Sequence, residues 1–242
     1  MARDMPDPAQ GVFETTLVVD GTAVEVDAHL ARLEASLAEL YGAALPADAR
    51  SLIDEGAAGL ALGRLRLTVV PGEEPSVRTA AVEQALVFPS QASEIALVTV
   101  SGWNGAHKWA DRRMLAGFET ELAPAVPVLV DEDESVLEGS RSNLFAVLGG
   151  AVITPPTDGR ILPGVARARA IEVARAADIE VVVRGLNVDE LASADEVFMT
   201  GGVRGVEPVG RCHGLGEWDS GRFTARVSAE LQHAWLSADD SS

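Results

Sequence analysis

The 242-residue chain is long enough for one or two domains with a buried core, and its 47% apolar and 23% charged residues argue against wholesale disorder. Nineteen basic against 37 acidic residues leave a formal charge of −18, which repels phosphate backbones and anionic lipid heads, so neither nucleic acid nor membrane is expected as a partner. The single Cys212 allows no internal disulfide and no CxxC metal site and fits a reducing cytoplasm, while Met1 to Gln10 lacks the apolar segment of a secretory signal.

Val12 to Val19, rich in β-branched residues, reads as a strand that turns at Asp20-Gly21 and returns through Thr22 to Val26. Asp27 is placed to cap a helix in which Leu30, Leu33, Leu37, Leu40 and Ala44 share a face until Gly42 and Pro46 stop it. Arg64 to Val70 alternates, the acidic segment Pro71 to Pro75 breaks it, and Val77 to Phe88 resumes as strand. Small and polar residues from Pro89 to Ser93 read as a linker between an N-terminal α/β domain over 1–88 and a larger domain over 94–242.

The second half opens with a strand from Ile95 to Val100 and a loop from Ser101 to Gly105, followed by a strand from Val126 to Val130. Leu144 to Leu148 and Ala151 to Thr154 flank Gly149-Gly150 and predict a hairpin. A helix should follow Pro163-Gly164, then a strand from Glu180 to Val183, a short helix from Val188 to Ala192, a strand from Glu196 to Thr200 and a last helix from Arg222 to Trp235. There is no internal repeat, and the mixture predicts an α+β or α/β enzyme-like chain.

Several common site types are missing: there is no GxSxG, no GxGxxG and no Walker loop, and the four histidines lack metal spacing. Cys212 and His213, adjacent in sequence, read as a surface pair pointing apart rather than as a nucleophile and its base. Eighteen of the 19 basic residues are arginine, leaving Lys108 as the only side-chain amine, and only an amine condenses with an aldehyde. Coding bias explains the scarcity of lysine equally well, so the neighbourhood must decide.

Three segments offer chemistry, and each has a plainer reading. In Gly105 to Arg113, Lys108 follows a glycine turn beside Trp109, where partial desolvation would lower its pKa; a solvated lysine is the plain alternative. In Val136 to Phe145, Glu138 sits before a Gly/Ser turn, where it can charge-pair with a protonated ring nitrogen or simply face solvent. In Thr154 to Arg167, the helix starting near Gly164 offers free N–H groups to a phosphate, with Arg32 as a candidate counter-charge, or is an ordinary connection.

Taken together and in order, these segments resemble the fold-type IV pyridoxal-phosphate enzymes, the class IV aminotransferases. The likeness runs from Gly11 to Thr15 through His29 to Leu33, His107 to Trp109, the Glu138 segment and Asp158 to Gly164, to Thr200 through Val209. It implies a two-domain α+β fold, a small α/β N-terminal domain beside a larger, β-barrel-like domain with helices. It also implies pyridoxal 5'-phosphate as cofactor, a small-molecule amino substrate and a homodimer. By the resemblance Lys108 is the Schiff-base residue, Glu138 the partner of the ring nitrogen and Arg32 the phosphate arginine. Asn143, Val165, Ala166, Thr200 and Gly202 fall in cofactor-binding segments, and Arg204 is placed to meet a substrate carboxylate. Ala166 and Gly202 stand where the family often has hydroxyl residues, so backbone N–H groups must serve there. The acidic Pro71 to Pro75 loop lacks the basic trap of D-amino-acid transaminases. The compact N-terminal half and the segments around Lys108 and Arg204 look most like 4-amino-4-deoxychorismate lyase, which releases pyruvate and p-aminobenzoate. The first expectation is therefore that lyase reaction, and the second a branched-chain or D-amino-acid transaminase.

Overall fold

The computed structural model describes residues 5–236. A four-stranded antiparallel sheet is built by β1 (Val12–Val19), β2 (Thr22–Ala23), β3 (Leu62–Val69) and β4 (Ser76–Ala81), in the order β2-β1-β3-β4. Helices α1 (Val26–Tyr41) and α2 (Ala49–Ala57) follow β2 in the chain. In α1, Leu30, Leu33 and Leu37 are buried at helical spacing, as the periodicity predicts. The cap differs from expectation: Glu25, in left-handed backbone, occupies the N-cap, and Asp27 lies one residue inside the helix, where it pairs with Arg50. The helix ends at Tyr41 because Gly42 takes a left-handed conformation, so Ala44 falls outside it. Strand β4 also stops at Ala81, seven residues short of Phe88, and the chain goes on as a single 3-10 turn at Gln84–Leu86.

The second sheet has nine strands, from β5 (Ser93–Val100) through β6 (Val126–Asp131), β7 (Val136–Gly139), β8 (Ser142–Leu148), β9 (Ala151–Thr154), β10 (Val181–Val183), β11 (Glu196–Gly201) and β12 (Gly205–Cys212) to β13 (Gly216–Glu217). Eight of them run in the order β10-β9-β8-β11-β12-β5-β6-β7, β13 pairs with β12, and β7 pairs back onto β8. Six strands, β8-β11-β12-β5-β6-β7, therefore close on themselves, which covers the free edge at β7 and makes this half barrel-like. Four helices belong to this half: α3 (Arg113–Leu122), α4 (Val165–Ala176), α5 (Val188–Ala192) and α6 (Arg222–Leu236).

Alternation sorts the barrel strands into two faces. Leu144 and Ala146 of β8 join Val197, Met199 and Val128 in one core, while Phe145, Val147 and Phe198 join Ala166, Ala170 and Leu231 of α4 and α6 in another. The Phe145 and Phe198 rings stack with centroids 4.8 Å apart. A third core is shared by both sheets, since Val12, Leu65 and Leu67 pack in one cluster with Val100, Leu129 and Leu137. Cys212 is buried, against the expectation of a surface pair, and only His213 is exposed, paired with Glu94. Among the described residues no helix is long and apolar enough to cross a membrane.

Candidate active site

One strand sets the site. The edge of β1 that does not pair with β3 donates Phe13 N–H to the Lys108 carbonyl at 2.9 Å and Leu17 N–H to the Gly202 carbonyl at 3.0 Å. Ala110 N–H returns a bond to the Gly11 carbonyl at 3.0 Å. The edge groups that would otherwise lack partners thus fix the lysine segment and the Thr200–Gly202 turn to the same strand. Close approach elsewhere depends on glycine: a Cβ on Gly105, before Lys108, would fall 2.5 Å from the Arg160 carbonyl oxygen.

Eight of the nine residues singled out in the sequence line one cavity: Lys108, Arg32, Glu138, Asn143, Val165, Ala166, Thr200 and Gly202. Arg204 is not among the residues lining it. Its guanidinium is held by both oxygens of Glu207, at 2.6 and 2.8 Å, an ion pair three residues along the chain.

Lys108 has its pKa lowered to about 8, first by burial and then by the positive charge of Arg32, with Arg112 adding to it; Glu14 and Glu138 pull the other way. Its Nζ also lies 5.2 Å from the centroid of the Phe13 ring. Glu138 shows the opposite displacement, raised to about 7 by burial. Leu162 N–H at 2.9 Å, Trp103 Nε1–H at 3.2 Å and the charges of Lys108 and Arg112 oppose that rise, and Asn143 Nδ2–H lies 3.4 Å from the same carboxylate. Asn143 faces Glu138 because the two are register partners across the tight β7–β8 turn, and Thr200 is in turn the register partner of Asn143 across β8 and β11.

Val165 and Ala166, which also line the cavity, open α4, whose first N–H groups have no intrahelical acceptor. Gly164 at the N-cap packs so closely that a Cβ would fall 1.9 Å from Asn143 Oδ1. Arg32 reaches across from α1, donating Nη1–H to the Pro163 carbonyl at 3.0 Å. Its other donors go to Glu14, which the sequence reading did not single out: Nε–H to Oε1 at 2.8 Å and Nη2–H to Oε2 at 2.5 Å. Burial pushes the Glu14 carboxyl up, but the charge of Arg32 and the hydrogen bond from His29 outweigh it and hold it at about 2. The signal available in the sequence was a carboxylate inside an otherwise apolar strand. A cationic side was missed as well: Arg112 and Arg141 both line the cavity, and both pair with Glu119. Nearby, Arg66 stacks on Phe13 at 3.6 Å, feels the charges of Arg112, Arg78 and Arg64, and has no carboxylate partner among the described residues.

The model of the amino-transferase class IV family matches residues 11–212. The chain belongs to that family. Over 73 residues it is 48% identical to branched-chain amino acid aminotransferase 2 of Humulus lupulus, a stretch covering 30% of this chain and 18% of the relative. The chain spans less than half the length of the curated relatives it matches. Among solved structures, a hypothetical aminotransferase from Mycobacterium tuberculosis in its α-ketoglutarate- and PMP-bound form is 25% identical, with a TM-score of 0.78 over 91% of this chain and 88% of that one. The 4-amino-4-deoxychorismate lyase of Pseudomonas aeruginosa is 26% identical, with a TM-score of 0.75 over 92% and 90%.

The residues of the cavity fit the phosphorylated pyridoxal group this family uses. One cavity brings together a lowered-pKa amine, a buried carboxylate, an arginine, a helix start and the Thr200 hydroxyl, which is buried with no hydrogen-bond partner among the described residues. Those described residues hold no His, Cys, Asp and Glu cluster able to bind a metal ion.

Proposed function

We propose that this chain is a pyridoxal-phosphate-dependent aminotransferase acting on small α-amino acids, with branched-chain substrates as the first to test. The observation that carries the reading is the presence of Lys108, Glu138 and Arg32 together in the lining of one cavity. The curated relatives named as branched-chain aminotransferases support the choice of substrate. The usual homodimer of fold-type IV enzymes is part of the proposal, and sedimentation equilibrium tests it.

Pyridoxal phosphate, when bound, supplies an aldehyde carbon and a ring that accepts electron density. Thr200, Gly202, the start of α4 and Arg32 would hold its phosphate, and Glu138 its ring nitrogen. Ionised Glu138, kept in place by the Leu162, Trp103 and Asn143 donors, favours a proton on that nitrogen. Lys108 has two duties. With a pKa near 8, a fair fraction of its amine is neutral at neutral pH, ready to join the aldehyde. The same amine, when free and neutral, would be the base that holds and moves the proton of a substrate's α-carbon. Trp103 and Trp109, both buried, keep bulk water from this exchange.

A lyase acting on 4-amino-4-deoxychorismate is the second reading, favoured by the arginines Arg66, Arg112 and Arg141, which suit a substrate bearing two carboxylates. One pair of experiments separates the two. Leucine and D-alanine are mixed with the pyridoxal-phosphate-loaded protein and the cofactor spectrum followed, and aminodeoxychorismate is supplied while pyruvate is measured. Amino transfer from leucine without pyruvate release supports the first reading, and pyruvate release with no amino transfer replaces it by the second.

A further inference from the structure

The phosphate end of the cavity carries a charge arrangement that Arg32 alone does not explain. Glu14 is 3% exposed and shared between two residues of α1, since Arg32 binds both its oxygens and His29 Nδ1 lies 2.7 Å from Oε2. With His29 neutral, Glu14 and Arg32 cancel. Of the charged groups that act on His29, that leaves Lys108 as the one uncancelled cation, and a helix start contributes little.

His29 is itself 3% exposed and lines the cavity. Because Nδ1–H is donated to Glu14, the ring presents Nε2 on its other side. That edge borders the Gly202 turn, where a Cβ would fall 3.6 Å from Nε2, and Nε2 has no hydrogen-bond partner among the described residues. Thr200 Oγ1, 1% exposed, is unpartnered in the same cavity. The Thr200 hydroxyl, the Nε2 edge of His29 and a helix start therefore line one cavity. An unsatisfied buried hydroxyl is costly, so Thr200 marks a place where a ligand completes the bonding.

The charged groups facing His29 are Glu14 from β1, Arg32 on its own helix and Lys108 from the segment between β5 and α3. Burial disfavours the imidazolium and holds the His29 pKa below its ordinary value; Glu14 favours the charged ring, and Arg32 and Lys108 oppose it. A dianion on the Nε2 side would tip this balance.

We propose that His29 is a proton-coupled anion ligand: as a phosphate-type dianion settles against Thr200, Gly202 and the start of α4, Nε2 takes up one proton and donates it to the anion in a hydrogen bond. Glu14 fixes the ring so that Nε2 points outward. The inference rests on the reading of this end as a phosphate seat, but not on any chemistry at Lys108. Its sign follows from linkage. At pH values below the pKa of His29 in the free protein, the ring is already charged and affinity is level. Above it, each anion must bring a proton with it, and affinity falls about tenfold per pH unit until the pKa of the bound state is passed.

Sulfate is the probe, because it stays a dianion throughout the working pH range and any proton taken up belongs to the protein. Protein without added pyridoxal phosphate, labelled with 15N-histidine, is titrated with pH in the absence and presence of sulfate. Calorimetry of sulfate binding in two buffers of different ionisation enthalpy counts protons. The expected result is a His29 titration moved to higher pH by sulfate and an uptake approaching one proton, which His29→Asn abolishes while weakening binding. A His29 resonance whose titration sulfate leaves unmoved would overturn the proposal. So would uptake persisting in His29→Asn, or no sulfate binding to the wild type. Wild-type coupling in a protein that never reacts with pyridoxal phosphate would leave this inference standing and overturn the aminotransferase reading instead.

Discussion

Lys108 and Glu138 have pKa values displaced toward one another, and each displacement has a measurable consequence. Burial raises Glu138 from 4.5 to about 7, so the folded chain keeps a proton there that the unfolded chain releases between those values. That contribution is complete below 4.5 and is lost as pH rises through 7, at a cost on the order of 3 kcal/mol. Glu138→Gln has no proton to lose, so its melting temperature relative to wild type should rise when cofactor-free protein is moved from about pH 5 to about pH 8. Glu14→Gln should cost about 3 kcal/mol in urea unfolding, because the Arg32 guanidinium, 8% exposed, keeps its charge and loses its carboxylate. The two sites differ in how far the sequence revealed them. Lys108 stood out as the only lysine, and Arg32 and Glu138 came with their segments. Glu14 and His29 stayed hidden because their meeting depends on how α1 lies across β1, which local spacing does not encode.

Among the elements, α4 connects fold to site most directly. Gly164→Ala places a methyl group where Asn143 Oδ1 now sits, and Asn143 also bonds the Leu162 carbonyl at 2.9 Å. Moving that side chain should lower stability by about 1–3 kcal/mol and weaken pyridoxal phosphate binding, read by thermal unfolding and by fluorescence titration. Helix α5 matched its expected range because Asn187 and Glu190 form a reciprocal capping box; Asn187→Ala should cost about 1 kcal/mol and leave cofactor binding unchanged. Other elements escaped the sequence reading for identifiable reasons. Helix α2 buries only Ala49, Ile53 and Ala57, and α3 only Leu115 and Phe118, stripes too narrow to show a period. Strand β12 contains Gly205, Pro208 and Gly210, which mask its strand pattern. Pro208 lies opposite Phe198 in the pairing with β11, while pairing with β5 begins only at Val209.

For the whole molecule, the two sheets share a hydrophobic cluster, and β1 is hydrogen-bonded to both the Lys108 segment and the Gly202 turn. Unfolding should therefore be a single transition, with calorimetric and van't Hoff enthalpies in agreement; two resolved transitions would show that the halves melt separately. The mixed α+β class and most strands were legible from alternation and turns. Closure of six strands through the β7–β8 pairing was not, since a strand's period shows which face it buries and not which strand lies beside it. The account depends most on one amine reacting with one aldehyde. Borohydride reduction of the protein incubated with pyridoxal phosphate, followed by peptide mass analysis, should place the reduced pyridoxyl group on Lys108 and on no other residue, and Lys108→Ala should give no adduct. A label found on the chain's terminal amine alone, or an unlabelled wild-type protein, would contradict it.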